Sequence, residues 1–450
     1  MKIKIFEPYR INFDNVDWRK FPELALIDSI LEEHPEIINT VGQDIQGNKK
    51  ASRFGRKDSP SVEQILRVGI FKEMRGCTFR DLEFYMEDSR VFEKFTKISR
   101  DRTFSFQVLH KYVSMISEES LRFILQTIVD ISIEAGMEDL KRLRIDSTVI
   151  ETNIHYPTNN SIMWDCIRVA HRELEKLSNK EKGIKVINYT KGAKQTYTKI
   201  NTLRNIPVEQ RKKLFKKQLG VFTKSIKLVK KALKKKVVTT ESIIIQAFLS
   251  HFLTIMEKVY AMVEKGEIKN IHVPVDEKIF SIFERHTDII VKGQRKVEFG
   301  HKVNLATGSS RIIVYCEVLK GNPADSTLYE QPIDYIKNHH NRIPKSTVAD
   351  GAYASLSNLD YSLNQGVINI IFNKTVGSLK SIFSSKRTKT LLKKWRSGIE
   401  SVISNLKRGF KIGRCNWKGE AGFKAKVLWS VLAYNICRMT DWALKELSPT

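Results

Sequence analysis

One short segment near the C-terminus combines an acid with two bases at spacings that suit phosphate chemistry. Glu400 is preceded by Arg396 and followed by Lys407, so all three fall on one side of an α-helix at about 100° per residue. Such a face can hold a metal ion through the carboxylate while the two bases grip phosphates on either side. The spacing of Arg396 and Glu400 equally fits an exposed helix stabilised by ion pairs between residues four apart.

Two isolated aspartates upstream follow patterns typical of β-strands. Asp146 comes directly after Leu143 and Ile145, which alternate with charged residues. Asp350 ends a short apolar strand and Gly351 begins a turn, at a place where α/β sheets gather ligand-binding groups. A single aspartate at either position can equally cap a turn or the next helix.

Together, a strand aspartate, a strand-end aspartate and a helix glutamate form a set that can hold two divalent cations. These three residues are Asp146, Asp350 and Glu400. Hard oxygen ligands favour Mg²⁺, which takes only a few carboxylates from the protein. A pair of such ions activates a water or a 3′-hydroxyl and stabilises the leaving oxygen in phosphodiester chemistry. The sequence therefore predicts a two-metal phosphodiester site.

The three acids resemble the DDE triad of bacterial insertion-sequence transposases, whose catalytic core is an RNase H-like fold. Arg396, Glu400 and Lys407 match the R-x3-E-x6-K part of the Y-x2-R-x3-E-x6-K signature of one large group of these enzymes. The stretches 146–158, 299–303 and 348–353 are similar, in order, to the core blocks of the subgroup often called ISNCY. The resemblance runs from about Ser59 to the C-terminus.

This resemblance implies a catalytic mechanism and a role for each motif residue. Asp146, Asp350 and Glu400 would bind two Mg²⁺, with Mn²⁺ as a possible substitute, and Arg396 and Lys407 would position DNA phosphates. The enzyme would bind the terminal inverted repeats of its own element, cut at the ends and join the freed 3′-hydroxyls to target DNA.

Two positions depart from the family pattern. Lys393 stands where the signature has its tyrosine, and it is retained here as a candidate DNA contact. In the family this tyrosine and the arginine contact the terminal phosphate of a DNA hairpin, so the resemblance does not carry the hairpin step over to this chain. Asn159 stands where the subgroup often has an acid, and it is not predicted to bind metal.

The charge balance agrees with a nucleic-acid partner. The chain has 77 Lys and Arg against 50 Asp and Glu, a formal net charge of +27 over 450 residues. Release of counterions from DNA phosphates would make binding by so basic a chain steeply dependent on salt. We expect double-stranded DNA as the partner, bound by a homodimer because two element ends must be paired. An anionic membrane surface or ribosomal RNA is the alternative.

Other features predict a cytoplasmic protein without a membrane partner. The five cysteines are odd in number and scattered, which favours free thiols in a reducing compartment: Cys77, Cys166, Cys316, Cys415 and Cys437. The N-terminus lacks the apolar region of a signal peptide. The most apolar run, Ile243–Met256, is predicted to be too short to span a bilayer.

Residues 1–135 are predicted to form a helical DNA-binding domain, with a helix-turn-helix-like part at 59–116. A helix beginning near Ser61 is stopped by Gly76, and a second begins at Phe79. An ordinary helical subdomain fits the same pattern. Candidate contacts to the DNA backbone are Arg53, Arg56, Lys57, Arg75 and Arg80, the first three in a polar stretch, Gly47–Asp58, that is predicted to be a linker or arm.

Residues 136–450 are predicted to form the catalytic domain, interrupted at about 160–280 by a basic helical insertion. Between 176 and 236 stand 20 Lys and Arg and two acids, an excess of 18 (20 − 2). Apolar residues recur at spacings of four and three from Phe215 to Leu233, which indicates a helix packed against a second one at Ser242–Val263. The cations are interpreted as a DNA clamp, with Lys212, Lys213, Lys216 and Lys217 as candidate contacts, or as a solvated helix face.

The pattern after residue 285 predicts a mixed sheet. Strands and helices alternate in an order that fits an RNase H-like core, so the fold class is α+β or α/β. The last helices are predicted at 388–408 and 423–447. His301 and Lys302 are predicted to support the acids or contact phosphate rather than to catalyse. An RNase H-like nuclease without strand transfer and a non-catalytic DNA-binding protein from a decayed element remain alternative functions.

Overall fold

The computed structural model describes residues 2–4, 10–12, 20–47, 59–181, 183–202, 207–291, 297–373 and 381–447. The chain divides into two compact units. The core unit comprises residues 1–153 and 290–450, and the inserted unit comprises residues 154–289. The predicted linker at Gly47–Asp58 lies, from residue 48 onward, outside the described residues.

The described N-terminal part of the core unit is helical apart from a small hairpin. It contains β1 (Lys2–Lys4), β2 (Arg10–Asn12), α1 (Pro22–Glu33), α2 (Pro35–Gln46), α3 (Val62–Arg75), α4 (Phe79–Asp88), α5 (Arg90–Thr96), α6 (Phe106–Val113) and α7 (Glu118–Glu134). Local capping explains three of these boundaries. Ser61 and Gln64 form a capping box at the start of α3, and Gly76 ends it with a φ of 58°. Thr78 and Asp81 form a second box at α4. The predicted helix starts at Ser61 and Phe79 are confirmed.

After β3 (Arg142–Thr152) the chain enters the inserted unit, whose helices pack around their own apolar core. They are α8 (Asn159–Lys180), α9 (Thr190–Thr202), α10 (Val208–Leu233) and α11 (Thr240–Val263). Phe215, Phe222 and Val229 of α10 are buried, as predicted from the spacing of the apolar residues between Phe215 and Leu233. The sequence predicted a hairpin of the last two helices, but α8 and α9 also pack against them. The sequence prediction did not include α8, although its apolar residues, such as the buried Met163 and Leu174, follow an amphipathic pattern.

The apolar run Ile243–Met256 belongs to a longer helical segment, Thr240–Ile268. Together with the π-helical turn Glu264–Ile268, Thr240–Ile268 is long and apolar enough to cross a membrane by length and composition alone. Leu249, Met256 and Val259 of this helix are buried in the core of the inserted unit. Other apolar side chains of this helix, Ile243, Ile244 and Phe248, are exposed, so packing within the inserted unit covers only part of its apolar surface.

The remaining elements complete the core unit around a mixed sheet. They are β4 (Asp288–Ile290), β5 (Glu298–Thr307), β6 (Ile313–Val318), α12 (Glu330–His340), β7 (Ser346–Ala349), α13 (Leu356–Asn364), β8 (Asn369–Phe372), α14 (Lys386–Arg396), α15 (Gly398–Gly409), β9 (Arg414–Cys415) and α16 (Gly419–Leu447). The strand order is β4-β5-β3-β7-β8, with β6 also paired to β5 and β9 to β3. β3 is antiparallel to β5 and parallel to β7, which is parallel to β8. This mixed α+β architecture is consistent with an RNase H-like core.

The long helix α16 packs against α1, α3 and α7 and so joins the N-terminal helices to the rest of the core unit. Gly69 on α3 lies against the buried ring of Trp429, where a Cβ atom would approach the ring to 2.6 Å. Beside it, the buried carboxylate of Glu73 pairs with Lys72 and Lys426. Burial opposes ionisation of Glu73, but the two ammonium groups hold its pKa below the usual value.

Candidate active site

Asp146 lies on the central strand where one of its neighbours ends. β5 pairs with β3 from Arg144 to Glu151, but on the other side β7 pairs only with residues 142–145. β9 joins that side again at Glu151 and Thr152. The edge of β3 next to Asp146 therefore faces a gap between two parallel neighbours, a position at which parallel sheets commonly form ligand sites.

Asp350 comes to the same place from β7. Ile145 and Ala349 are the last partners in the parallel register of β3 and β7, and the two aspartates each follow by one residue. Neighbouring strands lie about 4.8 Å apart, so the sheet brings Asp146 and Asp350 side by side although 204 positions (350 − 146) separate them. Asp350 also caps the turn Gly351–Tyr353, accepting the Gly351 N–H at 2.8 Å. The capping role expected of a single aspartate is therefore observed.

Glu400 is connected to Asp146 through Arg396. The Arg396 Nη2 atom donates to Glu400 Oε1 at 2.6 Å, and its Nη1 atom lies 3.8 Å from Asp146 Oδ2. The Arg396 side chain is 11% exposed and that of Glu400 is 60% exposed. One guanidinium group therefore contacts both carboxylates. The ion pair between residues four apart does form, but its arginine also pairs with Asp146 of the sheet.

The helix that carries these residues is broken, contrary to the prediction of one helix over 388–408. α14 ends at Arg396, Ser397 is a turn, and α15 begins at Gly398. The cause is Arg144, whose Nη1 atom donates to the Trp395 carbonyl at 3.0 Å. In an unbroken helix that carbonyl would accept the N–H of the residue four positions later, so insertion of the guanidinium interrupts the ladder.

Arg144 anchors this junction to the sheet. Its guanidinium lies 4.2 Å from the centroid of the Trp395 ring, and its Nε atom donates to Thr307 Oγ1 at 3.1 Å. Burial, and next the positive charge of Arg311, lower the pKa of Arg144 to about 10, so it stays charged at neutral pH. The start of α15, and with it Glu400, is thereby held over the face of β3 that carries Asp146.

Gly398→Ala is expected to destabilise the core unit by about 1–3 kcal/mol through overpacking, because a Cβ atom would collide with the Arg144 guanidinium. Urea denaturation of the full chain measures the effect. Gly220→Ala is the matched control, since Gly220 is an exposed helical glycine with no atom within 4 Å of the added methyl group. That change should instead stabilise the chain by roughly 0.5–1 kcal/mol. Equal effects of both changes would contradict the proposed contact.

The donor set suits a hard divalent cation, although the acids are not gathered as ligands here. Among the described residues, no three His, Cys, Asp or Glu side chains are grouped closely enough to hold a metal ion. The positive charge between Asp146 and Glu400 is instead the Arg396 guanidinium. A cation thus already bridges two of the predicted ligands, and Asp350 lies beside the first of them. Asp146, Asp350 and Glu400 are the residues that would hold Mg²⁺.

The other predicted phosphate contacts of the core unit lie on the helices that carry Glu400, on the N-terminal helices or outside the described residues. Within the described chain, Lys393 and Lys407 are partly exposed and form no ion pair. Arg75 stacks on the Phe21 ring at 4.3 Å, and Arg80 lies 5.2 Å from the Phe106 ring centroid. Arg53, Arg56 and Lys57 lie outside the described residues.

Two groups next to the acids were not singled out from the sequence. Arg144 carries only a weak signal, a charged residue in the alternating strand pattern before Asp146. Asp325 contacts Ser147, the neighbour of Asp146, through a hydrogen bond of 2.8 Å. Nothing in the local sequence of Asp325 indicates this contact, because the two residues are distant in the chain. Lys302, predicted to support the acids, pairs with Asp325 at 2.9 Å.

Comparison with known proteins identifies one related family. Residues 269–436 match the family model described as the transposase DDE domain. The matched segment is less than half of the chain; it includes Asp350 and Glu400 and begins after Asp146. No curated protein and no solved structure matches the chain. The family match supports a DDE transposase, in agreement with the resemblance found in the motifs.

Proposed function

We propose that this chain is a transposase that binds the terminal inverted repeats of its insertion sequence, cuts DNA at the element ends and joins the freed 3′-hydroxyls to target DNA. The observation that carries the proposal is that Asp146 and Asp350 follow the last paired residues of two neighbouring parallel strands, while Arg396 pairs with both Asp146 and Glu400. The transposase DDE domain match supports it. We also assign the chain to the ISNCY-like group, on its motifs alone.

The three acids would hold two Mg²⁺, or Mn²⁺ as a substitute. When bound, such ions activate the attacking oxygen and stabilise the leaving oxygen of the phosphodiester. Asp146 and Asp350 are fixed by adjacent strands, whereas Glu400 is exposed and able to exchange Arg396 for another partner. Arg396, released from the acids, then contacts a DNA phosphate beside the scissile bond, together with Lys393 of α14 and Lys407 of α15.

The inserted unit would contact the DNA backbone through one face of α10. The exposed lysines of this face include one adjacent pair and otherwise recur three, four or seven residues apart: Lys213, Lys216, Lys217, Lys224, Lys227 and Lys231. At 1.5 Å per residue this row is about 27 Å long, close to one turn of B-form DNA at ~34 Å. Within the described chain these lysines form no ion pair, whereas Lys230, off the row, pairs with Glu257 at 2.7 Å. Lys212, also predicted to bind DNA, is only partly exposed.

The remaining partners follow from the reaction. Pairing two element ends calls for a homodimer assembled on DNA in the cytoplasm, with the helical residues 59–116 as a further DNA-binding region. All five cysteines are free thiols in this structure.

A strand-transfer assay tests the proposal directly. The full chain is incubated with Mg²⁺, a linear DNA that ends in the inverted repeats flanking its reading frame, and a supercoiled target. We expect cut ends that become covalently joined to the target. Cutting without joining would favour the nuclease alternative. Binding without cutting would leave a non-catalytic DNA-binding protein and contradict the enzymatic proposal.

A further inference from the structure

A buried polar network lies behind the two aspartates, on the face of β3 opposite Asp146. It is built on Lys302 and Asn304 of β5, which lie opposite Val149 and Ser147 in the antiparallel register. Both side chains are almost completely buried, with exposures of 3% and 0%. A buried lysine and a buried asparagine are costly unless they are fully paired, so their partners are expected to matter.

One branch of this network ends beside Asp146. The Lys302 ammonium pairs with Asp325 at 2.9 Å and donates to the Pro323 carbonyl at 2.7 Å. Asp325 in turn accepts a hydrogen bond from the Ser147 hydroxyl at 2.8 Å. The segment that follows β6 is thereby tied to β3 at the residue next to the first predicted ligand.

The other branch ends beside Asp350. Asn304 donates to the Leu328 carbonyl at 2.9 Å and accepts a hydrogen bond from the Tyr353 hydroxyl at 3.2 Å. Asn358 donates to the carbonyls of Tyr353 and Ser326, at 2.7 and 2.8 Å. Tyr353 closes the turn that Asp350 caps, its N–H bonding the Asp350 carbonyl at 3.1 Å.

Both branches begin on β5, at Lys302 and Asn304, and end beside the two aspartates. Burial raises the pKa of Tyr353 well above its usual value, and the charges of Asp325, Asp146 and Asp350, in that order, raise it further. Three carboxylates therefore act on one buried hydroxyl group. The Lys302 ammonium neutralises Asp325, so this third acid adds little repulsion to the pair at the sheet edge.

We propose that Asp325, Lys302, Asn304 and Tyr353 are positioning residues that fix the separation of Asp146 and Asp350 and thereby set the affinity for divalent cations. This inference rests on the proposed function, because it assumes that the two aspartates bind metal. Groups that orient metal ligands without touching the metal typically contribute about 10–100-fold to metal affinity.

The test is Mn²⁺ binding to the full chain without DNA, followed by electron paramagnetic resonance of the free ion. Asp325→Asn keeps the acceptor for Ser147 but removes the charge opposite Lys302, and it should weaken Mn²⁺ binding by about 10–100-fold. Tyr353→Phe removes one hydroxyl group and should also weaken Mn²⁺ binding, but by a smaller factor. It also serves as the deciding variant if Asp325→Asn does not fold.

Two further variants distinguish a failure of the positioning role from a failure of the proposed function. Tyr315→Phe is the matched control, since this buried tyrosine bonds Gln331 at 3.2 Å away from the acids and should lose stability without losing Mn²⁺ affinity. Asp146→Asn reports on the metal site itself. If it abolishes binding while folded Asp325→Asn and Tyr353→Phe bind as tightly as the unchanged chain, the positioning role is wrong and the proposed function stands. If Asp146→Asn binds Mn²⁺ normally, both proposals are overturned.

Discussion

Asp146→Asn, Asp350→Asn and Glu400→Gln should each reduce DNA strand cutting by at least about 1000-fold while leaving binding of the element ends largely intact. Each change keeps the size of the side chain but removes a negative oxygen ligand, so the loss should exceed the ~10–100-fold typical of groups that only support a ligand. DNA contacts are expected mainly from basic residues elsewhere, so affinity should change little. Gel analysis of labelled ends measures cutting, and fluorescence anisotropy measures binding.

An exposed acid outside the site is the matched control for these variants. Glu420 lies in the first turn of α16 and is 57% exposed, much as Glu400 lies in the first turn of α15. Glu420→Gln should cut at the rate of the unchanged chain. Undiminished cutting by all three site variants would show that the acids are not the catalytic set.

Replacing Lys213, Lys217, Lys224, Lys227 and Lys231 together by Gln should weaken DNA binding steeply and flatten its dependence on salt. Each lysine that contacts a phosphate contributes about 0.9 to the slope of log K against log salt, so the slope should fall by roughly 4–5. The effect should be largest at low salt, where counterion release contributes most. Anisotropy titrations at several salt concentrations measure both quantities.

The control removes the same number of charges from exposed lysines outside the row. Lys258, Lys320, Lys345, Lys418 and Lys445 are exposed. Their replacement by Gln lowers the net charge equally, and the slope should change much less. Equal slopes for the two variants would mean that overall charge, rather than the row on α10, governs binding, and the lysines would then be a solvated face.

The meeting of Asp146 and Asp350 could be anticipated because both acids follow strand patterns of strong local character. Alternating Leu143 and Ile145, and the apolar run before Asp350, specify strands without help from distant residues. Parallel pairing of those strands then brings their ends together. The capping boxes at Ser61 and Thr78 could also be predicted from the sequence, because a capping box depends on residues only three positions apart.

Features that depend on contacts between distant residues could not be predicted from the sequence. The break in the helix at Ser397 arises from Arg144, which donates a hydrogen bond to the carbonyl of Trp395, 251 positions away in the sequence. Periodicity alone favoured a continuous helix there. The network around Lys302 joins residues from four separate segments, and no single segment carries its pattern. Local patterns therefore indicated the candidate acids, but not the distant side chains that surround them.

The most direct test of the central claim is a crystal structure of the chain bound to an element end in the presence of Mn²⁺, with the metal located by anomalous scattering. We expect density between Asp146, Asp350 and Glu400, with carboxylate oxygens about 2.0–2.2 Å from the metal and the Arg396 guanidinium moved from Glu400 onto a DNA phosphate. Mn²⁺ bound elsewhere, with Arg396 still bridging Asp146 and Glu400 beside the bound DNA, would contradict the account.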